Sequence, residues 1–478
     1  MSDTKNVSET ENVNDTKDLK PTGRGLHPYA RRYEVHDALP EQGVAREQIL
    51  RELAEMAHGE DERGHTGKVS GSIYSGDEEH YAFLTQAFGF FGHVNVLQRD
   101  MYPSATKLEA EIIAMTAGML HGDDDTGGVV TSGGTESLMS AMLAYREWGR
   151  AAKGIEHPQV ILPVTAHPAL HKGAHYFGIE VVHAPVDDDY AVDVDFVRAH
   201  ISPRTVALVG SAGTYPHGVV DPITELGALA LGHDLGFHVD GCLGGFILPW
   251  ARELGYDVPA FDLAVPGVTS ISADTHKYGY ALKGSSVLLY RPASLRRHQY
   301  FTITSWPGGT YTSPGMSGSR SGGILAATWA ALVSLGREGY LRIASDIFTT
   351  ADSVKAAVAA LPELRVMGKP WFNVAFTSDV VNIFHVNDFL ATRGWRMNGL
   401  QLPPALHFCV TRPNTRAGVV ESFATDLADA VAYAKDPPTE TPRSGAMYGA
   451  TGSRPPEEQM VSSLFGYMDA IHEVGPRS

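Results

Sequence analysis

The first segment that could do chemistry is the run 132–137, which reads Ser-Gly-Gly-Thr-Glu-Ser. It follows a short apolar stretch and precedes a helical pattern. Two glycines let the backbone turn sharply and expose its N–H groups, and a helix N-terminus favours a nearby anion. The run therefore predicts a phosphate-binding turn, with an ordinary strand-to-helix turn capped by a hydroxyl as the alternative.

An aspartate and a lysine stand at the ends of two later apolar stretches. Asp240 ends the stretch 236–240, at the edge of an open α/β sheet where ligands bind, and an aspartate there can pair with a protonated ring nitrogen. Lys277 lies in the run 272–280 among small and aromatic residues. Partial burial there would lower its pKa and free its amine to attack a carbonyl. Taken singly, each residue favours a plainer interpretation, Asp240 as the cap of a turn and Lys277 as a solvated surface charge.

The order of the three features along the chain is more informative than any one of them. A phosphate-binding turn, then an acid at a strand end, then a lysine at a later strand end is the set that a bound pyridoxal phosphate requires. The turn would hold the phosphate, Asp240 the ring nitrogen, and Lys277 the aldehyde. The sequence thus predicts pyridoxal phosphate as the cofactor.

Two histidines, His167 and His171, are spaced so that they could share one face of a helix. A metal site is disfavoured because no acidic residue stands near them and Pro168 places His167 at the first turn. His167 can instead stack on a flat cofactor ring, or simply cap the helix.

The elements that must position these residues alternate between strands and helices. Seven short apolar stretches predict strands, and helical patterns separate most of them: 128–131, 160–162, 181–183, 206–209, 237–239, 270–272 and 286–290. Such alternation predicts an α/β fold with a mostly parallel sheet and helices on both faces. After about residue 336 the pattern changes to a long helix over 340–361, strands near 374–376, 380–384 and 407–410, and helices over 387–393 and 457–471.

These patterns divide the chain into three parts. We expect an N-terminal segment over 1–60, whose first 20 residues are polar and disordered, a large cofactor-binding domain over 61–340, and a small α+β domain over 341–478.

Composition limits the partners and the compartment. The net charge of −17 disfavours nucleic acid and anionic membrane surfaces. Two cysteines, Cys242 and Cys409, rule out a disulfide framework and a cysteine-rich metal site, which favours a reducing cytoplasm. No stretch offers the roughly 20 apolar residues of a membrane span, and no secretory signal is evident.

Three runs resemble the signatures of the sphingosine-1-phosphate lyase family: 238–246, 267–286 and 308–323. The similarity extends from about residue 67 to the C-terminal helix. It implies the fold of pyridoxal-phosphate enzymes of type I (aspartate-aminotransferase-like), and homodimers whose active sites use both subunits. It also implies a bacterial, soluble member, because eukaryotic relatives have a membrane anchor and this chain shows none.

The resemblance assigns roles residue by residue. Lys277 would bond the cofactor aldehyde, Asp240 would hold the ring nitrogen and His167 would stack on the ring. The cofactor phosphate would be bound by Gly134 and Thr135, with His276 nearby and Ser319 from the partner chain. Tyr74 would also come from the partner, Tyr215 matches a second active-site tyrosine, and the positions that contact the substrate phosphate are Asn95, Lys283 and Tyr448.

One position departs from the family pattern. The family usually has histidine where this chain has Gln98, three residues after Asn95. An amide can hydrogen-bond a phosphate but can neither add a positive charge nor shuttle a proton.

The reaction implied is cleavage of a phosphorylated sphingoid base between the amine-bearing carbon and the neighbouring hydroxyl-bearing carbon. The products would be a long-chain aldehyde and phosphoethanolamine. Tyr74, Tyr215 and Lys277 are the candidate bases. The alternatives are a pyridoxal-phosphate amino-acid decarboxylase, which would share Asp240 and Lys277, and an inactive cofactor-binding homologue, which Gln98 alone favours.

Overall fold

The structure, a computed structural model, describes residues 27–36, 38–447, 450–451 and 457–473. The predicted disordered tail over 1–20 lies outside them. The described residues divide into two compact units, one that includes those up to 63 and those from 457 to 473, and one that includes those from 64 to 451.

The smaller unit contains a short 3₁₀ turn and two helices. The turn spans Pro28–Arg31, helix α1 spans Arg46–His65 and ends just past the unit, and helix α12 spans Glu457–His472. Two tyrosines near the turn bind acids of α1: Tyr29 Oη lies 2.6 Å from Glu60 Oε1, and Tyr33 Oη lies 2.9 Å from Glu55 Oε2.

The larger unit is built on a seven-stranded sheet, as predicted. Its strands are β1 (Gly127–Thr131), β2 (Gln159–Pro163), β3 (Glu180–Ala184), β4 (Thr205–Ser211), β5 (Gly236–Asp240), β6 (Ser270–Ala273) and β7 (Ser286–Tyr290). The order is β1-β7-β6-β5-β4-β2-β3. β7 runs antiparallel to both of its neighbours and the other pairs are parallel. All strands but the edge strand β3 are buried along their whole length, because helices cover both faces.

The helices of this sheet are α2 (Glu78–Phe91), α3 (Pro103–Met119), α4 (Gly134–Lys153), α5 (Pro168–Phe177), α6 (Val194–His200), α7 (Ile223–Gly232) and α8 (Leu248–Glu253). Their starts follow local sequence. Asp77 caps α2 by accepting a hydrogen bond from the His80 N–H, and Pro103 and Pro168 occupy the first turns of α3 and α5.

Two short hairpins and a second sheet complete the unit. The hairpins pair β8 (Phe301–Ile303) with β9 (Tyr311–Ser313), and β14 (Ala446–Met447) with β15 (Ala450–Thr451). The second sheet has the antiparallel order β10-β11-β13-β12, with strands β10 (Arg365–Val366), β11 (Asn373–Thr377), β12 (Asn398–Leu400) and β13 (Ala405–Cys409). Its helices are α9 (Gly322–Ala359), α10 (Ile383–Thr392) and α11 (Val419–Lys435).

The stretch α9 joins two helices across a kink at Gly336, where the backbone is not helical and the φ of 56° is one that only glycine adopts without strain. The long helix predicted over 340–361 agrees with the second of the two. One local prediction in this part was wrong: the stretch 380–384 is not a strand, because Asn382 caps α10 there by accepting from the Phe384 N–H. The domain boundary predicted at residue 340 stays a prediction.

Candidate active site

The predicted functional side chains gather at one edge of the large sheet. Because β7 is antiparallel to β1 and to β6, strands β1, β2, β5 and β6 all end at the same edge. The phosphate-binding turn follows β1, His167 follows β2, Asp240 ends β5 and Lys277 follows β6. The sheet topology thus brings together residues far apart in the chain.

A cavity of about 290 Å³ opens at this edge. Its lining includes five predicted site residues and the neighbouring Gly133: Gly134, Thr135, His167, His276 and Lys277. Gly133 has a φ of 145°, and the backbone turns there into the N-terminus of α4. A Cβ on Gly134 would lie 2.7 Å from Asp274 Oδ2, so that only glycine fits this side of the cavity. The exposed N–H groups and the 20-residue helix behind them suit a phosphate.

Lys277 is paired with an acid that the sequence analysis did not assign. Its Nζ lies 3.0 Å from Asp274 Oδ2, and His276 Nε2 lies 3.6 Å from the same oxygen. Burial lowers the pKa of Lys277, but the Asp274 charge, with smaller effects of other neighbours, raises it well above its usual value. The predicted low pKa of Lys277 is therefore wrong for the chain without cofactor, because a buried carboxylate stabilises its ammonium.

Asp240 lies at the back of the site with 7% of its surface exposed. Its Oδ1 accepts a hydrogen bond from the Cys242 N–H at 3.0 Å, which fixes the carboxylate. His238, two residues earlier, shares its face of β5. Burial lowers the pKa of His238 to about 4 against the opposing charge of Asp240, so this histidine is neutral.

His167 caps α5 through its ring. Its Nδ1 accepts a hydrogen bond from the Ala169 N–H at 3.1 Å, which places the ring proton on Nε2. Burial lowers the pKa of His167, although the Asp240 charge opposes this shift. A neutral imidazole held this way at the cavity wall presents a flat face, as expected for a residue that stacks on a cofactor ring.

Tyr74 and Lys283 lie next to each other, near Lys277. Lys283 Nζ is 4.7 Å from the centre of the Tyr74 ring, and this ring meets Tyr278 edge-on at 5.1 Å. Tyr74 also contributes to the pKa of Lys277. Tyr74 thus lies near Lys277 of its own chain, and the expectation that this tyrosine reaches a partner's site stays a prediction. Burial and the charge of Lys277 lower the pKa of Lys283 to about 8.

Tyr215 is held by the small sheet. The Asn373 side chain donates to the Tyr215 carbonyl at 2.7 Å, and His407 Nδ1 lies 3.1 Å from the Pro216 carbonyl. The rings of Tyr215 and His407 meet edge-on at 4.9 Å. A Cβ on Gly218 would come within 2.1 Å of the Asn373 carbonyl, so the turn fits closely against β11.

Asn95 and Ser319 lie together. Asn95 Nδ2 donates to Ser319 Oγ at 3.1 Å. Ser319 lines a separate cavity of about 210 Å³ that Ser132 and Gly284 also line, so it adjoins the phosphate turn. Gln98 is exposed on the same segment as Asn95. Tyr448 lies outside the described residues.

Two buried glutamates connect these parts, and the sequence analysis assigned no role to either. Glu136 accepts the Ser132 N–H at 2.7 Å through one oxygen and the Met316 N–H at 2.8 Å through the other. It therefore ties the phosphate turn to the loop before Ser319. An acid that follows a glycine turn within the first turn of a helix is a visible signal for such a role.

Glu109 joins three other segments. It forms ion pairs with Arg99 and with Arg320, and its Oε1 accepts the Val130 N–H at 3.2 Å. Arg99 follows Gln98 directly, and Arg320 follows Ser319. Glu109 thus fixes the Asn95 and Ser319 segments to the end of β1.

These backbone groups and side chains fit the predicted cofactor. The glycine turn offers backbone N–H groups to a phosphate, Asp240 offers a fixed carboxylate to a ring nitrogen, and Lys277 offers an amine to an aldehyde. Asp274 Oδ1 is buried with no hydrogen-bond partner among the described residues, so the site holds an acceptor that a bound group or a lysine N–H can use.

Comparison with known proteins first defines the class. Residues 35–378 match the pyridoxal-dependent decarboxylase conserved domain. The chain is also similar to the glutamate decarboxylase of Lactobacillus brevis, with a TM-score of 0.72 and 19% identity over 87% of this chain and 98% of that one. The chain therefore has the fold of the pyridoxal-dependent decarboxylases, and the predicted fold class and cofactor are confirmed.

More similar proteins define the family within that class. The sphingosine-1-phosphate lyase of Arabidopsis thaliana is 44% identical over 84% of this chain and 76% of the relative. The solved structure of the Burkholderia pseudomallei enzyme of that name has a TM-score of 0.88 and 52% identity, over 94% of this chain and 99% of that one. A probable sphingosine-1-phosphate lyase of Legionella pneumophila is 34% identical over 95% of this chain and 80% of the relative. This chain belongs to the sphingosine-1-phosphate lyase family.

Proposed function

We propose that this chain cleaves phosphorylated sphingoid bases, such as sphingosine 1-phosphate and sphinganine 1-phosphate, into a long-chain aldehyde and phosphoethanolamine. The observation that supports this most directly is a second cation beside the cofactor cavity. Lys283 lies over Tyr74, outside the phosphate turn but adjacent to Lys277, whose charge affects its pKa. A substrate that carries its own phosphate needs such a separate cation, whereas an amino-acid substrate needs a partner for its carboxylate.

Lys283 suits a phosphate that must be both bound and released. With a pKa of about 8 it is charged at neutral pH, and a bound phosphate would hold it in that form. We propose that Lys283, Asn95, Gln98 and Tyr448 contact the substrate phosphate. Binding at this remote group would orient the bond to be broken, so that binding energy serves the chemical step.

The residues around Lys277 supply the proton transfers. A base among them would remove the proton of the substrate hydroxyl as the carbon–carbon bond breaks and the aldehyde leaves. Pyridoxal phosphate, held by Lys277, Asp240 and the glycine turn, would supply the sink for the electron pair of that bond, and Asp240 would keep its ring nitrogen protonated. A protonated side chain near Lys277 would return a proton to the amine-bearing carbon, and Lys277 would then replace the product amine. Tyr74 and Tyr215 are the proposed bases, with Lys277 the third candidate.

Product analysis tests this proposal. The purified chain, loaded with pyridoxal phosphate, is incubated with sphinganine 1-phosphate, and the aldehyde and phosphoethanolamine are measured by mass spectrometry. Equal amounts of both products support the lyase. Carbon dioxide from glutamate or tyrosine without aldehyde formation would instead make the chain a decarboxylase. A cofactor spectrum that shifts on substrate addition without any product would make it an inactive homologue.

We also propose that the chain works as a homodimer with shared active sites. Large apolar side chains near the Asn95 segment are exposed in the single chain, among them Phe83, Phe90, Leu97 and Met101. An exposed apolar surface of this kind suits a second copy, which would bring Asn95 and Ser319 towards the other subunit's site.

Complementation distinguishes shared from separate sites. Lys277→Ala and Asn95→Ala chains, each inactive or nearly so, are dissociated and reassociated together. If Asn95 acts across the dimer, random mixing restores about 25% of full activity, because half of the dimers contain one intact site of two. No recovery, with dimers formed normally, would place Asn95 in its own chain's site.

No helix among the described residues is long and apolar enough to cross a membrane. We propose a cytoplasmic location because Cys242 and Cys409 are both free thiols, as a reducing compartment maintains. Cell fractionation with detection of the chain tests this location, and recovery in the periplasmic fraction would contradict it.

A further inference from the structure

In the proposed cycle Lys277 would be unbonded to the cofactor for part of every turnover. A substrate amine that replaced it there would give up protons, and Lys277 would take up these protons and be released as an ammonium. A flexible ammonium next to solvent could leave the site. Lys277 keeps 23% of its side chain exposed, so something must hold it.

The structure shows what lies next to that ammonium. Asp274 Oδ2 is 3.0 Å from Lys277 Nζ, three residues away across the turn that follows β6, and only 2% of the Asp274 side chain is exposed. Asp240 also acts on Lys277, but its effect is smaller than that of Asp274. Among the described residues, the other titratable groups that influence Lys277 or are influenced by it are Tyr74, Cys242, His167, His276, Lys283 and Cys409.

A row of buried hydroxyls begins beside Asp274. Burial raises the pKa of the Asp274 carboxyl, while Lys277, His276 and, to a smaller extent, the Ser286 hydroxyl lower it, with a net decrease. Ser286 Oγ lies 2.9 Å from Ser137 Oγ, and Ser137 Oγ lies 2.7 Å from Thr131 Oγ1. This buried row of hydroxyls leads to the carbonyl of Gly133, in the phosphate turn.

Asp274 also has capacity for a second hydrogen bond. Its Oδ1 is buried without a partner among the described residues, and an ammonium has three N–H donors. Because Gly134 has no side chain, the two Asp274 oxygens have space beside the cavity. A Cβ at position 134 would lie 2.7 Å and 2.9 Å from them.

We propose that Asp274 is a positioning residue that holds the ammonium of Lys277 beside the cofactor whenever the lysine is not bonded to it. This inference rests on the proposed lyase function for its place in the cycle, but the ion pair itself can be measured without turnover. The side chain acts through Lys277, and its fixed position lets the lysine return to the same carbon after each cleavage.

The first experiment measures Lys277 in the cofactor-free, full-length chain. An amine-reactive reagent is applied across a range of pH, and labelling at Lys277 is quantified by peptide mass spectrometry. In the unsubstituted chain the midpoint should lie above the ordinary lysine value of about 10.4. In Asp274→Asn the midpoint should fall by at least about 1, which raises labelling at pH 9 by roughly tenfold or more. Asp274→Glu should keep the midpoint high.

A matched control comes from another buried aspartate. Asp262 also has only 2% of its surface exposed, and it accepts hydrogen bonds from the Ala264 N–H at 3.0 Å and from His121 at 2.8 Å. Asp262→Asn removes a buried negative charge away from the cofactor cavity. It should leave the Lys277 midpoint unchanged.

The second experiment measures turnover of the loaded enzyme. Asp274→Asn should lower kcat by roughly tenfold or more with a smaller change in KM, and Asp274→Glu should recover part of kcat. A Lys277 midpoint at or below the ordinary value in the unsubstituted chain would overturn the proposal, even if Asp274→Asn does not fold. So would equal midpoints in the two chains. If neither the unsubstituted chain nor its variants form aldehyde while the Lys277 midpoints differ as expected, the proposed lyase function is wrong and the proposed ion pair is supported.

Discussion

A methyl group added at position 134 should weaken cofactor binding while leaving the folding of the cofactor-free chain nearly unchanged. Gly134→Ala would place a Cβ 2.7 Å and 2.9 Å from the two Asp274 oxygens and 3.0 Å from Cys242 Sγ. All three distances are shorter than ordinary contacts, and the atoms belong to buried side chains. Asp274 can yield only by moving into the cavity that the cofactor should fill.

The expected magnitude follows from that geometry. Overpacking of a close-fitting site costs about 1–3 kcal/mol. Without cofactor, Asp274 can relax into the cavity and most of the cost disappears. With cofactor the space is taken, so the cost falls on the bound state and the dissociation constant of pyridoxal phosphate should rise about 5- to 150-fold.

The assay is a titration of the cofactor-free chain with pyridoxal phosphate, followed by absorbance. Gly118→Ala is the control, because Gly118 is exposed on α3 and a Cβ there meets nothing within 4 Å. That change should leave the dissociation constant unaltered and favour the helix by about 0.5–1 kcal/mol. An unchanged dissociation constant for Gly134→Ala would mean that Asp274 does not move into the space that the cofactor occupies, and the reasoning would be refuted.

Three further predictions concern the chemistry and the pH dependence. If the missing imidazole at position 98 limits the reaction, Gln98→His should raise turnover of sphinganine 1-phosphate, and equal rates in a direct comparison would show that the position is not critical. Tyr74→Phe and Tyr215→Phe each remove one candidate base. In a steady-state assay, the variant that lacks the true base should have a kcat lower by about 10²–10⁴-fold, and the other variant should lose far less. For His238, the folded pKa of about 4 lies below the unfolded value of about 6.5, so its burial stabilises the fold above pH 6.5 and this stabilisation is lost as the pH falls towards 4. Replacing His238 by Asn should therefore make the loss of unfolding free energy between pH 7 and pH 5 smaller by about 2 kcal/mol, which urea denaturation at the two pH values would detect.

The sequence was sufficient for the sheet and for the residues at its edge. All seven strands were predicted to within two residues at each end, because a parallel sheet buried on both faces leaves short, continuous apolar runs between loops. The same rule placed the phosphate turn, Asp240 and Lys277 at one edge, and the cavity that Gly134, His167 and Lys277 line agrees with that placement.

Helices with unusual starts or interiors were harder to predict. The first helix of α9, which ends at the kink at Gly336, is rich in alanine and glycine and was not predicted. Helix α2 was missed, although Asp77 followed by two glutamates is a capping signal, because its aromatic residues and a glycine obscure the helical period.

The charge state of Lys277 could not be predicted from composition. Burial alone lowers the pKa of a lysine, and that was the basis of the expectation. The opposing effect depends on whether the turn after β6 brings Asp274 within contact of Nζ, which is a matter of three-dimensional distance. An acid three residues before a candidate lysine is nevertheless a pattern that can be searched for in a sequence.

The carboxylate of Glu109 has a mechanical consequence for the cofactor site. Because it pairs with both Arg99 and Arg320 and also accepts the Val130 N–H, the two stretches that bear Asn95 and Ser319 are fastened to the strand that leads into the glycine turn. If a second copy docks on these stretches, as proposed, a displacement of either stretch would also move the turn. The shape of the phosphate pocket would then respond to docking through one side chain.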